Sequence, residues 1–282
     1  METIESGNEI RAAIIAARQS GKVVGLVPTM GALHQGHLSL VDAALAECDL
    51  VAVSIFVNPT QFAPSEDLEK YPRTLEQDLS ALRERGCHLV FTPQQSEIYP
   101  EGHSTTVHME GIAKRLEGRV RPEHFDGVAT VVLKLFNLMP ADRAYFGQKD
   151  YQQALVIEQM IGDLNVPMEL QICPTIREPD GLAMSSRNAY LSEAEREQAL
   201  AIPRALQAAE TEFERGERSA EVLIRNMYGV LNSAGLEANY VSIVRQGTLT
   251  PVVTLDESAV ALIAAAVGST RLIDNVILGT GE

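Results

Sequence analysis

His34 and His37, three residues apart in the run Pro28-Thr-Met-Gly-Ala-Leu-His-Gln-Gly-His37, are the first residues whose type and spacing suggest chemistry. At a helix start this spacing puts two imidazoles on one side, where both can donate to phosphate oxygens as charge moves onto them. Gly31 and Gly36 permit a sharp turn and a close approach of backbone to ligand. A helix beginning near Gly36 would present unpaired N–H groups, which attract anions. Two other readings stay open at this point. Paired histidines can bind zinc, although no His-Glu-x-x-His run or third ligand stands nearby, and the segment can be a structural turn with surface imidazoles.

Three further groups have chemical potential. Gly147-Gln148-Lys149-Asp150 carries a cation on a flexible stem that can follow a phosphoryl group through a reaction, with Asp150 at the next helix start. Met184-Ser185-Ser186-Arg187-Asn188 supplies two hydroxyls and a guanidinium in succession, a compact grip for phosphate oxygens or, alternatively, an ordinary cap or turn. Gln61 and Gln153 carry neutral amides that can orient a hydroxylated carboxylate without burying another charge. Arg115, Arg119 and Arg121, with His124, form the one local basic cluster, read either as a mobile flap over anions or as a solvated loop.

These residues need elements to position them. Ser6 and Glu9 suggest a helix N-terminus, followed by Ile10, Ala13, Ile14 and Ala17 at helical spacing. β-rich runs at 22–27, 50–56, 88–91, 143–146 and 168–173 alternate with helical stretches at 36–47, 75–85, 128–139 and 151–163. That alternation predicts a parallel sheet with right-handed crossovers. The groups above follow the first, second, fourth and fifth runs, so they would meet outside the carboxyl edge of the sheet in one crevice. After Cys173 the pattern changes. A Pro, Gly and Asp-rich loop precedes helical stretches at 192–215 and 219–234, then strand-like runs at 238–244, 259–267 and 271–277 without helices between them. The expected architecture is a Rossmann-like α/β domain over 1–176 and a smaller C-terminal α+β lid domain over 177–282.

Composition narrows the possible functions. The 282 residues are 45% hydrophobic and 22% charged, which fits a globular chain with a substantial core. A net charge of −15 repels a phosphate backbone, so nucleic acid is not an expected partner. The longest apolar run, 259–267, is too short to span a bilayer, and no basic segment followed by an apolar one opens the chain, so a cytoplasmic location away from membranes is expected. Cys48, Cys87 and Cys173 are odd in number and widely spaced, which suggests reduced thiols rather than disulfides or thiolate zinc. Neither the phosphate loop ending in Gly-Lys-Ser/Thr nor Gly-x-Gly-x-x-Gly is present.

The motifs together resemble the pantoate:β-alanine ligase (pantothenate synthetase) family. They are Pro28-Thr-Met-Gly-Ala-Leu-His-Gln-Gly-His37, Phe56-Val-Asn-Pro-Thr-Gln-Phe62, Tyr71-Pro-Arg-Thr74, Arg121-Pro-Glu-His-Phe-Asp-Gly-Val128, Phe146-Gly-Gln-Lys-Asp-Tyr-Gln-Gln153 and Gly181-Leu-Ala-Met-Ser-Ser-Arg-Asn188. The resemblance implies an ATP- and magnesium-dependent reaction in which pantoate is adenylated, pyrophosphate leaves, and the β-alanine amine displaces AMP. It also implies site residues. Met30, Gly31, Ala32, Leu33, His34, Gln35, Gly36 and His37 would bind ATP, as would Gly147, Gln148, Lys149 and Asp150. Ile176 would meet the adenine through its backbone, while Met184, Ser185, Ser186 and Arg187 would close on the phosphates. His37 and His34, with Lys149 and Arg187, would carry the catalysis, and Gln61 and Gln153 would hold pantoate. A homodimer through the N-terminal domain is expected by similarity. One departure concerns the acidic run that often follows Tyr-Pro-Arg-Thr in the family. Here it reads Leu75-Glu76-Gln77-Asp78, so the resemblance assigns no protein ligand to magnesium, which rests mainly on substrate phosphates and water. Two competing functions are a nucleotidyltransferase that keeps the nucleotide in its product and a nucleotide sensor without turnover.

Overall fold

A computed structural model describes residues 1–63, 66 and 68–279. It comprises two compact units, one of Met1–Gly147 with Gln152–Pro174 and one of Gln148–Tyr151 with Thr175–Glu282. No helix among the described residues is long and apolar enough to cross a membrane.

In the first unit, β1 (Glu2–Ile4), β2 (Val24–Thr29), β3 (Leu50–Ile55), β4 (Leu89–Phe91), β5 (Arg143–Gly147) and β6 (Glu169–Cys173) form one sheet in the order β1-β4-β3-β2-β5-β6. Every pairing is parallel. The helices are α1 (Gly7–Gln19), α2 (Gln35–Glu47), α3 (Leu75–Glu84), the short α4 (Gln95–Ile98) and α5 (Glu117–Val120), α6 (His124–Leu138) and α7 (Tyr151–Asp163). Alternate strand residues enter different cores, as the two-residue period of a strand requires. Leu26, Ala52, Phe91 and Ala144 pack with Ile10 and Ile14 of α1, Val128 of α6 and Ile157 of α7. Val27, Val53, Val90 and Tyr145 pack with Val41 of α2 and Leu82 of α3. The sheet is therefore covered on both faces, as a doubly wound fold demands.

All five β-rich runs form strands of this sheet. The edge strand β1 was not legible because it has only three residues, two of them polar. Helix α6 begins at His124, ahead of the expected 128, because Phe125 already belongs to its apolar stripe while Gly127 hides the first turn in the sequence. All three cysteines are free, and burial pushes the Cys87 thiol up to about 11.

The second unit contains α8 (Glu193–Ala199), α9 (Ala201–Glu214) and α10 (Ala220–Ser233), with β7 (Ala238–Arg245), β8 (Ala259–Val267) and β9 (Thr270–Leu278) in an antiparallel sheet. The single helix expected over 192–215 is two helices. Pro203, near the start of α9, has no N–H to continue the ladder from the preceding turn. Ala205 and Leu206 of α9, Leu223 and Met227 of α10 and the alanines of β8 form this unit's core.

Candidate active site

The direction in which the first sheet grows reverses at β2, with β3 on one side of it and β5 on the other. Strands β2 and β5 pair at Gly25–Arg143 and Leu26–Ala144 and no further. Pro28 then occupies a strand position without an N–H to donate. The carboxyl ends of the two strands thus leave the crevice in which ligands of open α/β sheets bind.

The chain leaving β2 is held in a tight turn. The Thr29 hydroxyl donates to the Ser54 carbonyl at 2.8 Å and accepts the Gly31 N–H at 3.2 Å. Gly31 has φ +82°, and a Cβ there would meet Ile55 at 3.0 Å, so both conformation and space favour glycine. Ala32 follows at φ +50°. The loop is tied to Asp78 of α3, whose side chain accepts the N–H of Ala32 and of Leu33, each at 2.9 Å, and the Thr74 hydroxyl at 3.1 Å. Asp78 is only 3% exposed, and these donors replace the water its carboxylate loses on burial.

Helix α2 starts directly after this loop, with His34 as its N-cap. His34 Nδ1 accepts the Gly36 N–H at 3.1 Å, while His37 Nδ1 accepts the His34 N–H at 3.4 Å. The histidines thus do the work of a capping box, with their rings 4.1 Å apart between centroids. An Nδ1 that accepts a backbone N–H leaves the proton of a neutral imidazole on Nε2. Each ring is therefore fixed as an Nε2–H donor beside the positive end of a helix.

Gln61, after β3, is anchored through both side chain and backbone. Its Nε2 donates to Met30 Sδ at 3.1 Å, and its Oε1 accepts Asn58 Nδ2 at 3.2 Å, so the chain segments leaving β2 and β3 meet here. Asn58, 1% exposed, also donates to the Gly127 carbonyl at 3.2 Å and accepts the Tyr99 hydroxyl at 2.8 Å. The Gln61 carbonyl accepts His124 Nδ1–H at 2.9 Å and Arg121 Nη2–H at 3.2 Å. Arg121 in turn makes a two-pronged pair with Glu66, at 2.5 and 2.6 Å. Burial raises the Glu66 carboxyl, but the Arg121 guanidinium outweighs it and the net shift is downward. Burial, and then the charge of Arg121, push the His124 imidazole down to about 4, so it stays neutral near pH 7.

The basic cluster lies on and between two short helical turns rather than on one continuous loop. Residues 111–114 form a single 3₁₀ turn and 117–120 the helical turn α5. The buried Gln152 amide accepts the Glu117 N–H and donates to the Ile112 and Arg115 carbonyls. A Cβ on Gly118 would stand 1.7 Å from the Ala113 carbonyl oxygen, so the two turns are in direct backbone contact. Arg121 is committed to Glu66 and Gln61, while Arg119 is exposed. The neighbouring Gln153 is half-buried on α7.

In the second unit, Gln148, Lys149 and Asp150 form one 3₁₀ turn just after Gly147, and Lys149 Nζ lies 3.5 Å from Asp150. Ile176 and Met184 stand across a small antiparallel hairpin, where the Met184 N–H donates to the Ile176 carbonyl at 2.9 Å and Gly181 makes the bend at φ +95°. Its return arm leads into Ser185, Ser186 and Arg187. Ser185 caps the turn Ser186–Tyr190 by accepting the Arg187 N–H at 3.3 Å. Asn188, which follows, fastens the turn to Glu178 at 2.6 Å and to the Ala183 carbonyl at 3.0 Å. The capping reading of these serines is therefore correct for Ser185, and it leaves the phosphate reading untouched.

Asn275 lies in none of the groups that the sequence singles out, and His124 stands there only beside the basic cluster. Asp78 and Asn58 were visible only as members of motifs, because their partners are backbone groups brought near by folding. Among the described residues no group of three or more His, Cys, Asp or Glu could hold a metal ion, and Asp78 of the acidic run is engaged with backbone donors.

A doubly wound parallel sheet with a histidine-capped helix start at its reversal point defines a Rossmann-like α/β protein. The chain belongs to the pantoate-beta-alanine ligase family, whose model matches residues 2–277. It is 52% identical to a pantothenate synthetase of Roseiflexus castenholzii over 279 residues, covering 99% of each chain. It is 51% identical to that of Rhodopirellula baltica over 278 residues, covering 98% of each. A crystal structure of pantothenate synthetase from Thermus thermophilus superposes with a TM-score of 0.94 at 45% identity, over 98% of this chain and 99% of that one. The pantoate-beta-alanine ligase of Francisella tularensis, complexed with beta-gamma ATP and beta-alanine, gives 0.83 at 35% identity, over 100% and 99%.

Proposed function

We propose that this chain joins pantoate to β-alanine with ATP, through a pantoyl adenylate, and releases pyrophosphate and AMP. The observation that carries the reading is the helix start at Gln35, where Asp78 locks the preceding loop and two histidines are fixed as Nε2–H donors. Membership of the ligase family along residues 2–277 supplies the substrates.

A carboxylate is a poor acceptor for an amine, and a mixed anhydride with AMP makes its oxygen a good leaving group. Forming that anhydride brings two anions together, so the chain's task is to position them and offset their charge. In this reading Met30, Gly31, Ala32, Leu33, Gln35 and Gly36 present backbone to the ATP phosphates, while His34 and His37 donate through Nε2. Lys149 and Arg187 supply the fixed cations. Gln148, Asp150, Ser185 and Ser186 add polar contacts, and Ile176 and Met184 flank the nucleotide. Gln61, with its carbonyl fixed by His124 and Arg121, and Gln153 hold pantoate. Magnesium, if bound with ATP, would offset phosphate charge, and no cluster of three or more His, Cys, Asp or Glu among the described residues would hold it. A cytoplasmic homodimer joined through residues 1–176 is part of the same proposal.

The test is product analysis with each substrate withheld in turn. The reading requires AMP and an amide only when ATP, pantoate and β-alanine are all present. A stable adenylated product with β-alanine present overturns it.

A further inference from the structure

Asn275 of β9 is 2% exposed, and its side-chain amide is devoted to one short stretch of chain. Its Nδ2 donates to the Gln148 carbonyl and to the Lys149 carbonyl, each at 2.9 Å, and its Oδ1 accepts Gln148 Nε2 at 3.3 Å. These two carbonyls belong to the peptide planes on either side of the Lys149 Cα. Fixing both planes fixes φ and ψ at Lys149, and with them the direction in which its side chain leaves the backbone.

A single 3₁₀ turn is a weak local structure. Gly147 before it has no atom within 4 Å of where a Cβ would stand. Asn275 is itself held firmly, since its N–H donates to Asp274 at 2.8 Å and Asp274 accepts two hydrogen bonds from Arg177, at 2.6 and 3.1 Å. The sheet does not require an amide here, because the β8–β9 register runs through Asn275 opposite Leu262 without interruption.

We propose that Asn275 is a positioning residue for adenylation, aiming the Lys149 ammonium by holding the two carbonyls that flank it. This rests on the reading of Lys149 as the cation that offsets charge at phosphorus.

The experiment measures pyrophosphate release from ATP and pantoate, with kcat and both KM values, for Asn275→Ala in the wild-type and Lys149→Ala backgrounds, alongside melting temperature. Misaiming a catalytic group by a fraction of its length is expected to lower kcat about 10- to 100-fold, with KM for pantoate unchanged. In the Lys149→Ala background the same substitution is expected to cost nothing further. An equal fall in both backgrounds, or a kcat near wild type in folded Asn275→Ala protein, overturns the proposal while leaving Lys149 in place. Near-wild-type release by Lys149→Ala alone overturns the reading of Lys149, and the proposal with it. Should Asn275→Ala fail to fold, Asn275→Ser, which keeps a donor for one carbonyl, carries the same comparison with a smaller loss expected.

Discussion

The side chain of Asp78 accepts the backbone N–H of Ala32 at 2.9 Å, across 46 residues of sequence, and Ala32 is a non-glycine residue at φ +50°. A left-handed alanine costs about 1 kcal/mol, and Asp78 holds it there together with Leu33, one residue before the His34 cap. In Asp78→Asn one of the two N–H groups must face an NH₂ group instead of a carboxylate oxygen. A hydrogen bond to a charged group contributes about 1.5–3 kcal/mol, so KM for ATP is expected to rise about tenfold or more with a lower melting temperature. Steady-state kinetics and thermal unfolding of the same preparation check this.

His34 serves as helix cap through Nδ1 and, in the proposed chemistry, as donor through Nε2, and two substitutions separate the roles. Asparagine is a good N-cap residue but cannot supply the second nitrogen. His34→Asn is therefore expected to melt close to wild type while adenylation falls on the order of a hundredfold, the effect of about 3 kcal/mol lost in the transition state. His34→Ala should lose the same activity and also about 1 kcal/mol of stability. Pyrophosphate release and melting temperature read the two effects independently.

Gly127 lies where α6 crosses the backbone after β3, and a Cβ there would stand 2.3 Å from the Thr60 carbonyl oxygen and 2.8 Å from the Gln61 Cα. Because the contact is with backbone, relief requires moving Gln61 or the helix. Gly127→Ala is expected to destabilise by about 1–3 kcal/mol and to raise KM for pantoate more than KM for ATP. Steady-state kinetics with each substrate varied, alongside thermal unfolding of the same variant, check the difference.

His124 links the same site to pH. Its folded value of about 4 lies below the ordinary 6.5, so the unfolded chain binds the proton more readily. The stabilisation is complete above pH 6.5 and is lost as pH falls toward 4, by on the order of 2 kcal/mol down to about pH 4.5. His124→Gln removes the titrating group, so its melting temperature is expected to fall less than that of wild type between pH 7 and pH 4.5. Unfolding curves across that interval check the difference.

The elements were legible where periodicity was strong. Strands β2 to β6, and α2 behind the glycine-bearing turn, follow from apolar runs and turn residues close to each other in sequence. The two histidines also stood out, but their spacing shows neither that Nδ1 of each is occupied by backbone nor which nitrogen is left to donate. Arg121 looked like a cation awaiting an anion because Glu66, which neutralises it, lies 55 residues earlier. Asp78 and Asn275 follow the same rule. A polar side chain whose partners are distant backbone groups has no local signature, and the sequence around it reads as an ordinary helix or strand.

The most direct measurement is exchange of labelled pyrophosphate into ATP in the absence of β-alanine. The account predicts exchange that depends on pantoate in the wild-type chain and falls about a hundredfold in His34→Asn protein of normal stability. Exchange without pantoate, or undiminished exchange in His34→Asn, would contradict it.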